Sequence, residues 1–245
     1  MNSKLYVIGT GPGKKEHLTK AAVNAIRESE VVMGYKTYIN LIKEFLDGKE
    51  VQSSGMRKEV DRCTDAIEVA LSGKVVALIS SGDSGVYGMA GIVLELAEKM
   101  APELDIEIVP GITSALSSAS LAGAPLMNDF AVISLSDLMT PWEVIEKRLD
   151  AAGLGDFAVT LYNPRSNGRT KQIEIARDIL LRHRNPQTPV ALVRNAMREE
   201  ASVTLTTLAD MPFEEIDMVT TVIIGNSQTY VRNGKMVTPR GYLLV

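Results

Sequence analysis

Four short segments carry residue types suited to binding or catalysis, and each follows a run of apolar residues. The first, Gly9-Thr10-Gly11-Pro12-Gly13, has glycines that permit unusual backbone angles and a close approach to a ligand. It is not the dinucleotide fingerprint, because Lys14 stands where that pattern requires a glycine and Pro12 removes an amide donor. Nor is it a phosphate-binding P-loop, since no Gly-Lys-Ser/Thr follows; a purely structural turn also fits it. The second, Ser80 to Gly88, opens space around one carboxylate, Asp83, which either accepts hydrogen bonds from ligand hydroxyls or an amino group, or caps a helix starting near Val86. In the third, Val109 to Ser114, the hydroxyls of Thr113 and Ser114 are placed to cap a helix or to bond a ligand. In the fourth, Leu161 to Ser166, Pro164 stops a strand, and Arg165 either reaches an anion or sits in solvent.

Acid-base and thiol chemistry are thinly supplied. There are two histidines and one cysteine, so intramolecular disulfides and cysteine-ligated clusters are excluded by arithmetic, and no metal site is expected. Cys63 falls at helical spacing with Val60, Ile67 and Ala70 and reads as a small core residue. His17 flanks a helix start, and His183 lies at a helix end where a cation suits the dipole. Trp142, after Thr140-Pro141, fits a helix start packed on a core.

The elements that must position these segments are those of an α/β protein. Short Val- and Ile-rich runs alternate with segments of helical period, the pattern of strands buried on both faces. The expected strands are Leu5–Ile8, Val31–Gly34, Val75–Ser80, Ile106–Val109, Ala131–Leu135, Ala158–Leu161, Val190–Arg194, Val203–Leu208 and Val219–Gly225. One helix carries Val60, Cys63, Ile67 and Ala70 on one face, and another carries Ile173, Ala176 and Ile179 behind a cap at Asn167. After residue 200 helices thin out, and Asn233-Gly234 marks a hairpin near Tyr230–Val237, so antiparallel pairing is expected there. The small-residue stretch Thr113–Ala124 is the best boundary, giving an N-terminal α/β domain over 1–114 and a C-terminal one over 115–245.

Of the 245 residues, 45% are apolar, the net charge is −4 and aromatic residues make up 5%, which argues against nucleic acid as a partner. No stretch reaches the roughly 18 consecutive apolar residues of a membrane span, and the amino terminus runs straight into a strand, so no membrane association and a cytoplasmic location are expected.

Taken in order, Gly9–Gly13, Met33-Gly-Tyr-Lys-Thr-Tyr38, Ser81-Gly-Asp-Ser-Gly-Val-Tyr-Gly-Met-Ala-Gly91, Val109-Pro-Gly-Ile-Thr113, Phe130-Ala-Val-Ile-Ser-Leu-Ser-Asp137, Thr140-Pro-Trp-Glu143, Leu161-Tyr-Asn-Pro-Arg-Ser166 and Thr220-Thr-Val-Ile-Ile-Gly-Asn-Ser227 resemble the precorrin-3B C(17)-methyltransferases, or cobalt-factor III methyltransferases. The resemblance runs end to end. The glycine loops mark the wider tetrapyrrole methylase superfamily, while the Gly-Tyr-Lys-Thr-Tyr, Ser-Leu-Ser-Asp and Tyr-Asn-Pro-Arg-Ser runs narrow it to this branch. Two positions depart from it. Ser84 stands where the family pattern has proline, and Asn128 stands where it has histidine.

The resemblance implies two α/β domains of the tetrapyrrole methylase type with S-adenosylmethionine in a cleft between them, a homodimer, and a place in cobalamin biosynthesis. It implies methylation of ring carbon 17 of precorrin-3B or cobalt-factor III, with ring contraction to (cobalt-)precorrin-4. The alternatives are another precorrin or uroporphyrinogen methyltransferase and a noncatalytic tetrapyrrole carrier. Carried over by motif, the cofactor residues are Pro12, Gly82, Asp83, Val86, Thr113, Ser114, Asn163, Asn195, Ala196, Thr220 and Thr221. Alignment of the methyl group with the ring carbon is the main demand of the transfer, and ring contraction asks for a proton donor. Asp129, Asp137, Tyr35 and Lys36 are the candidates for that donor. A substrate rich in carboxylates calls for cations, and Lys36, Arg57, Arg165, Arg169, Arg194 and Arg198 fall at loop or strand-end positions.

Overall fold

A computed structural model describes residues 3–55 and 58–242. The chain divides into two compact units, Met1–Ser114 and Ala115–Val245.

The first unit is a parallel sheet covered on both faces. In chain order it holds β1 (Lys4–Gly9), α1 (Lys20–Glu28), β2 (Val31–Tyr35), α2 (Lys36–Leu41), β3 (Glu50–Ser54), α3 (Glu59–Leu71), β4 (Val75–Ser80), α4 (Ala90–Met100) and β5 (Asp105–Val109). The strands lie in the order β3-β2-β4-β1-β5, and every pairing is parallel. Alternation along each strand feeds two cores. Leu5, Val7, Val31, Met33, Val76 and Leu78 face α3 and α4, while Ile8, Val32, Ala77 and Ile79 face α1 and α2. Cys63 belongs to the first of these cores, fully buried, and burial pushes its thiol up to about 12. Because all five strands run the same way, every loop that leaves a strand's carboxyl end emerges on one rim of the sheet.

The second unit follows α5 (Ser114–Ala122), which crosses the boundary. It holds β6 (Gly123–Ala124), β7 (Phe130–Ser134), α6 (Trp142–Leu154), β8 (Ala158–Tyr162), α7 (Gln172–Leu181), β9 (Pro189–Arg194), β10 (Ser202–Thr207), β11 (Thr220–Ile224), β12 (Tyr230–Arg232) and β13 (Lys235–Val237). Its main sheet has the order β10-β9-β11-β8-β7; β7 and β8 are parallel, and β11 runs antiparallel between β8 and β9. One face packs on α6 and α7 through Ile145, Leu149, Ile173 and Ile179, and Trp142 joins this core as the first residue of α6. The other face meets Ala119 and Ala122 of α5 and Met236 of β13. The turn between β12 and β13 uses Asn233 and Gly234, both at positive φ, as a two-residue hairpin requires.

All nine strands read from the sequence are present. The sequence does not betray β3, whose Glu-Val-Gln-Ser-Ser is a mostly polar, largely exposed edge strand, or the two-residue β6. Two expected helix starts are corrected. Asn167 does not cap α7, because Ser166 and Arg169 first close a tight loop by exchanging backbone hydrogen bonds, and the helix begins at Gln172. Likewise α4 starts at Ala90 and not near Val86; the Ala90 amide donates to the Ser84 carbonyl, so Asp83 caps no helix there. No helix among the described residues is long and apolar enough to cross a membrane.

Candidate functional site

In the first unit three loops meet at the carboxyl ends of neighbouring strands β4, β1 and β5. Gly11 and Gly82 pair backbone to backbone, each amide donating to the other's carbonyl at 2.9 Å. The approach is too close for side chains: a Cβ on Gly111 would lie 2.1 Å from the Gly82 carbonyl oxygen, and one on Gly9 would lie 2.7 Å from the Gly111 nitrogen. Backbone packing therefore requires glycine at Gly9 and Gly111, and the φ of +68° at Gly11 and +65° at Gly82 favours it there. Asp83 locks the junction. Its Oδ2 accepts from the Gly111 amide at 3.0 Å and its Oδ1 from the Gly85 amide at 2.8 Å.

Ser84 has a use that a proline would not supply, since its buried hydroxyl donates to the Val109 carbonyl at 3.3 Å and ties the loop to β5. Thr19 caps α1 by accepting from the Ala22 amide and also donates to the Pro110 carbonyl at 3.4 Å. Beyond this junction Gly85, Val86 and Tyr87 are exposed, with Tyr87 at φ +52°. Pro12 is buried beside Gly11, while Thr113 and Ser114 are half-buried where α5 begins. Tyr35 and Lys36 follow β2 on the same rim, Tyr35 packed edge-to-face on Tyr38 at 5.2 Å and Lys36 exposed. Arg57 lies outside the described residues.

The second unit builds its rim differently. The carboxyl ends of β7, β8 and β9 and the amino end of β11 share one edge of the sheet, because β11 runs against its neighbours. Asn163, Asn195, Ala196, Thr220 and Thr221 all fall there. Asn163 and Asn195 both adopt φ +50°, a left-handed conformation that asparagine tolerates better than most residues. Asn163 is fixed from two sides: its Nδ2 donates to Ser134 Oγ at 2.9 Å, and its carbonyl accepts from Arg169 Nη2 at 2.9 Å. Beside it, Tyr162 Oη accepts from the Ala115 amide at 2.7 Å. The Asn195 amide donates to the Val219 carbonyl, and its own carbonyl accepts from the Arg198 amide.

Asp217 organises the start of β11. It accepts from Thr220 Oγ1 at 2.8 Å, from the Val219 amide at 3.0 Å and from Arg194 Nε at 2.9 Å. Burial pushes its carboxyl up, but these donors outweigh burial and hold it below the ordinary range. Sequence reading passed over Asp217, Ser134 and Tyr162. The Asp-x-x-Thr spacing of a side-chain turn was the available signal for Asp217.

Several expected site residues are placed elsewhere or engaged. Asp129 precedes β7, at the opposite end of the sheet, so five strand residues, roughly 16 Å, separate it from this rim. Asp137 follows β7 on the rim and accepts from Gln172 Nε2 at 2.9 Å. Arg165 donates to the Phe213 carbonyl and Arg194 pairs with Asp217. His17 lies in a short 3₁₀ turn after the glycine loop. His183 sits at the end of α7, as expected, with its Nε2 2.7 Å from Asp150 of α6.

This architecture, with its glycine-knit rim, defines a class. Residues 4–212 match the Tetrapyrrole (Corrin/Porphyrin) Methylases, and the chain belongs to that family of S-adenosylmethionine-dependent methyltransferases. Within it, the chain is 52% identical over 240 residues to a probable cobalt-factor III C(17)-methyltransferase of Salmonella typhimurium, covering 98% of this chain and all of the relative. It is 51% identical over 246 residues to a cobalt-factor III methyltransferase of Priestia megaterium, covering 99% of this chain but only 46% of that longer protein. The crystal structure of the methyltransferase CobJ superposes with a TM-score of 0.91 at 37% identity, covering 96% of this chain and 99% of that one.

The donor set on the first rim fits S-adenosylmethionine. Asp83 has both oxygens anchored by amides, and its remaining lone pairs suit hydroxyls or an ammonium group. The exposed backbone from Gly85 to Tyr87 presents peptide groups with no bulky side chain in front of Gly85, where an added Cβ would meet only Asp83 Oδ1 at 3.3 Å.

Proposed function

We propose that this protein is a C(17)-methyltransferase of cobalamin biosynthesis that acts on cobalt-factor III or precorrin-3B and contracts the ring to (cobalt-)precorrin-4. The observation that carries the reading is the full-length similarity, at 52% identity, to a relative named for that reaction. The residues on the two rims support it.

S-adenosylmethionine supplies, when bound, an activated methyl group, so the protein's task is alignment rather than activation of a nucleophile. In the first unit Asp83 would bind hydroxyl or amino groups of the cofactor, with Pro12, Gly82, Val86, Thr113 and Ser114 around it. In the second, Asn163, Asn195, Ala196, Thr220 and Thr221 would offer to an adenine edge those backbone amides and carbonyls that are not bonded within the protein, Asn163 and Asn195 from left-handed turns. Tyr35, Lys36 and Asp137 remain the proton-donor candidates for ring contraction, each standing at a strand's carboxyl end. Lys36, Arg57, Arg165, Arg169, Arg194 and Arg198 are the proposed contacts for the carboxylates of a tetrapyrrole. The two compact units correspond on this reading to the two domains of the family, and the enzyme works in the cytoplasm as a homodimer.

The test is turnover with methyl-labelled S-adenosylmethionine under anaerobic conditions, with cobalt-factor III and precorrin-3B offered separately and label and ring mass followed. Label on a contracted ring from either substrate establishes the activity and chooses between them. Label on an uncontracted precorrin instead assigns the protein to another branch. Binding of both molecules with no transfer makes it a carrier.

A further inference from the structure

Three arginines are buried among the described residues, and they are neutralised very unequally. Arg184 is 6% exposed and sits at the end of the second sheet opposite the rim, where β8 begins. It ion-pairs with Asp156 and donates to the carbonyls of Ala152, Gly153 and Phe157. Arg62 in the first unit donates to Ser54 Oγ at 2.7 Å and to the Gly55 carbonyl at 2.8 Å. Arg169 is 7% exposed and has one oxygen, the Asn163 carbonyl, together with a long contact from the same Nη2 to Met218 Sδ at 3.9 Å.

Arg169 Nε is buried without a partner, as is Arg184 Nε, but Arg184 has the Asp156 carboxylate beside it. No ion pair reaches its guanidinium among the described residues: Asp137 attracts it from outside bonding distance and spends its own Oδ2 on Gln172. Burial pushes the Arg169 guanidinium below its usual range, and Asp137 only partly offsets this. A desolvated cation with one neutral acceptor is costly unless a counter-charge arrives. Arg169 stands three residues before α7, in the loop that leaves the carboxyl end of β8, so the deficit lies on the rim where ligands bind.

We propose that Arg169 is a carboxylate-binding residue of the site, with Nη2 holding the Asn163 carbonyl while the rest of the guanidinium meets a ligand carboxylate. The inference rests on the functional reading above and sharpens it: Arg194 is paired with Asp217 and Arg165 is only half-buried, whereas Arg169 is buried with one carbonyl and no counter-charge. Two molecules bring carboxylates to such an enzyme, the tetrapyrrole through its acetate and propionate arms and the cofactor through its amino-acid end. The chemistry recognised is the same for both.

The experiment measures binding to the full chain by calorimetry and fluorescence, using S-adenosylhomocysteine, 5′-methylthioadenosine, which lacks the amino-acid carboxylate, and uroporphyrin III as a stable tetrapyrrole polycarboxylate. If the tetrapyrrole is the source, Arg169→Met weakens uroporphyrin by about tenfold or more, the scale of a charged hydrogen bond, and leaves S-adenosylhomocysteine unchanged. If the cofactor is the source, S-adenosylhomocysteine weakens by that factor and 5′-methylthioadenosine does not. Should Arg169→Met fail to fold, Arg169→Lys puts one nitrogen in place of the forked pair, and the same criterion applies to it. Wild-type protein that binds both ligands, with variants that bind them equally well, overturns the inference alone. Wild-type protein that binds neither overturns the functional reading and the inference with it.

Discussion

The two units present residues on the rim of a sheet by different physical means. In the first the rim is backbone: Gly9, Gly11, Gly82 and Gly111 bring three loops within hydrogen-bonding distance, and one carboxylate pins them. In the second it is side chains: Ser134 and Arg169 hold Asn163 by its amide and its carbonyl, and Asp217 holds Thr220. A backbone rim has no room for an added atom. A side-chain rim tolerates substitution more readily, but it carries charges and so responds to pH.

The largest effect that tests this contrast is expected from Gly111→Ala. A methyl group 2.1 Å from the Gly82 oxygen forces the strands β1, β4 and β5 to move, so a loss of about 3 kcal/mol or more is expected in denaturant unfolding, with loss of S-adenosylhomocysteine binding. A variant that unfolds like the parent protein would mean the three loops are not close-packed. Next comes Asp83→Asn. An amide nitrogen there would face either the Gly85 or the Gly111 amide, donor against donor, and about 1–3 kcal/mol should be lost.

In the second unit the comparison of Asn163→Gly with Asn163→Ala separates conformation from contact. Both lose the bond to Ser134, but glycine adopts φ +50° freely, so alanine should be the less stable by about 1 kcal/mol. Equal melting temperatures for the two would remove backbone conformation from the account. The smallest effect belongs to Asp217. Its carboxyl is held below the ordinary range in the folded protein, so its contribution is present above that range and disappears as the pH falls from the ordinary carboxylate value toward the depressed one. Asp217→Asn should remove that increment at neutral pH and flatten the acid limb, so that variant and parent protein converge below the depressed value; an unchanged acid limb would contradict the assignment.

What was legible in the sequence follows from the same contrast. The parallel strands are continuous apolar runs, and Val75–Ser80 could be bounded to the residue because both of its faces are buried. The glycine loops were equally visible, since glycine spacing is itself the signal of backbone meeting backbone. β3 was not, because a half-exposed edge strand needs no apolar run to pair with β2. α5 shows in the sequence only as a run of small residues at the boundary; that Ala115, Ser118 and Ala122 belong to its buried face is visible in the structure alone. The fates of the arginines were not legible at all. Arg165, Arg169 and Arg194 look alike at loop and strand-end positions, and only the fold shows one half-buried on a carbonyl, one paired with an acid and one buried without a counter-charge.

The strand order of the first sheet bears on how the chain acquires its structure. β1 is the earliest strand in the chain but lies between β4 and β5, so Lys4 finds its neighbours at Val75 and Asp105. A ribosome must therefore deliver more than a hundred residues before the opening segment is flanked on both sides, and contacts so distant along the chain make for slow assembly. The apolar stretch from Leu5 to Ile8 has both edges open until β4 has emerged and one edge open until β5 follows, an interval in which it is exposed to mispairing.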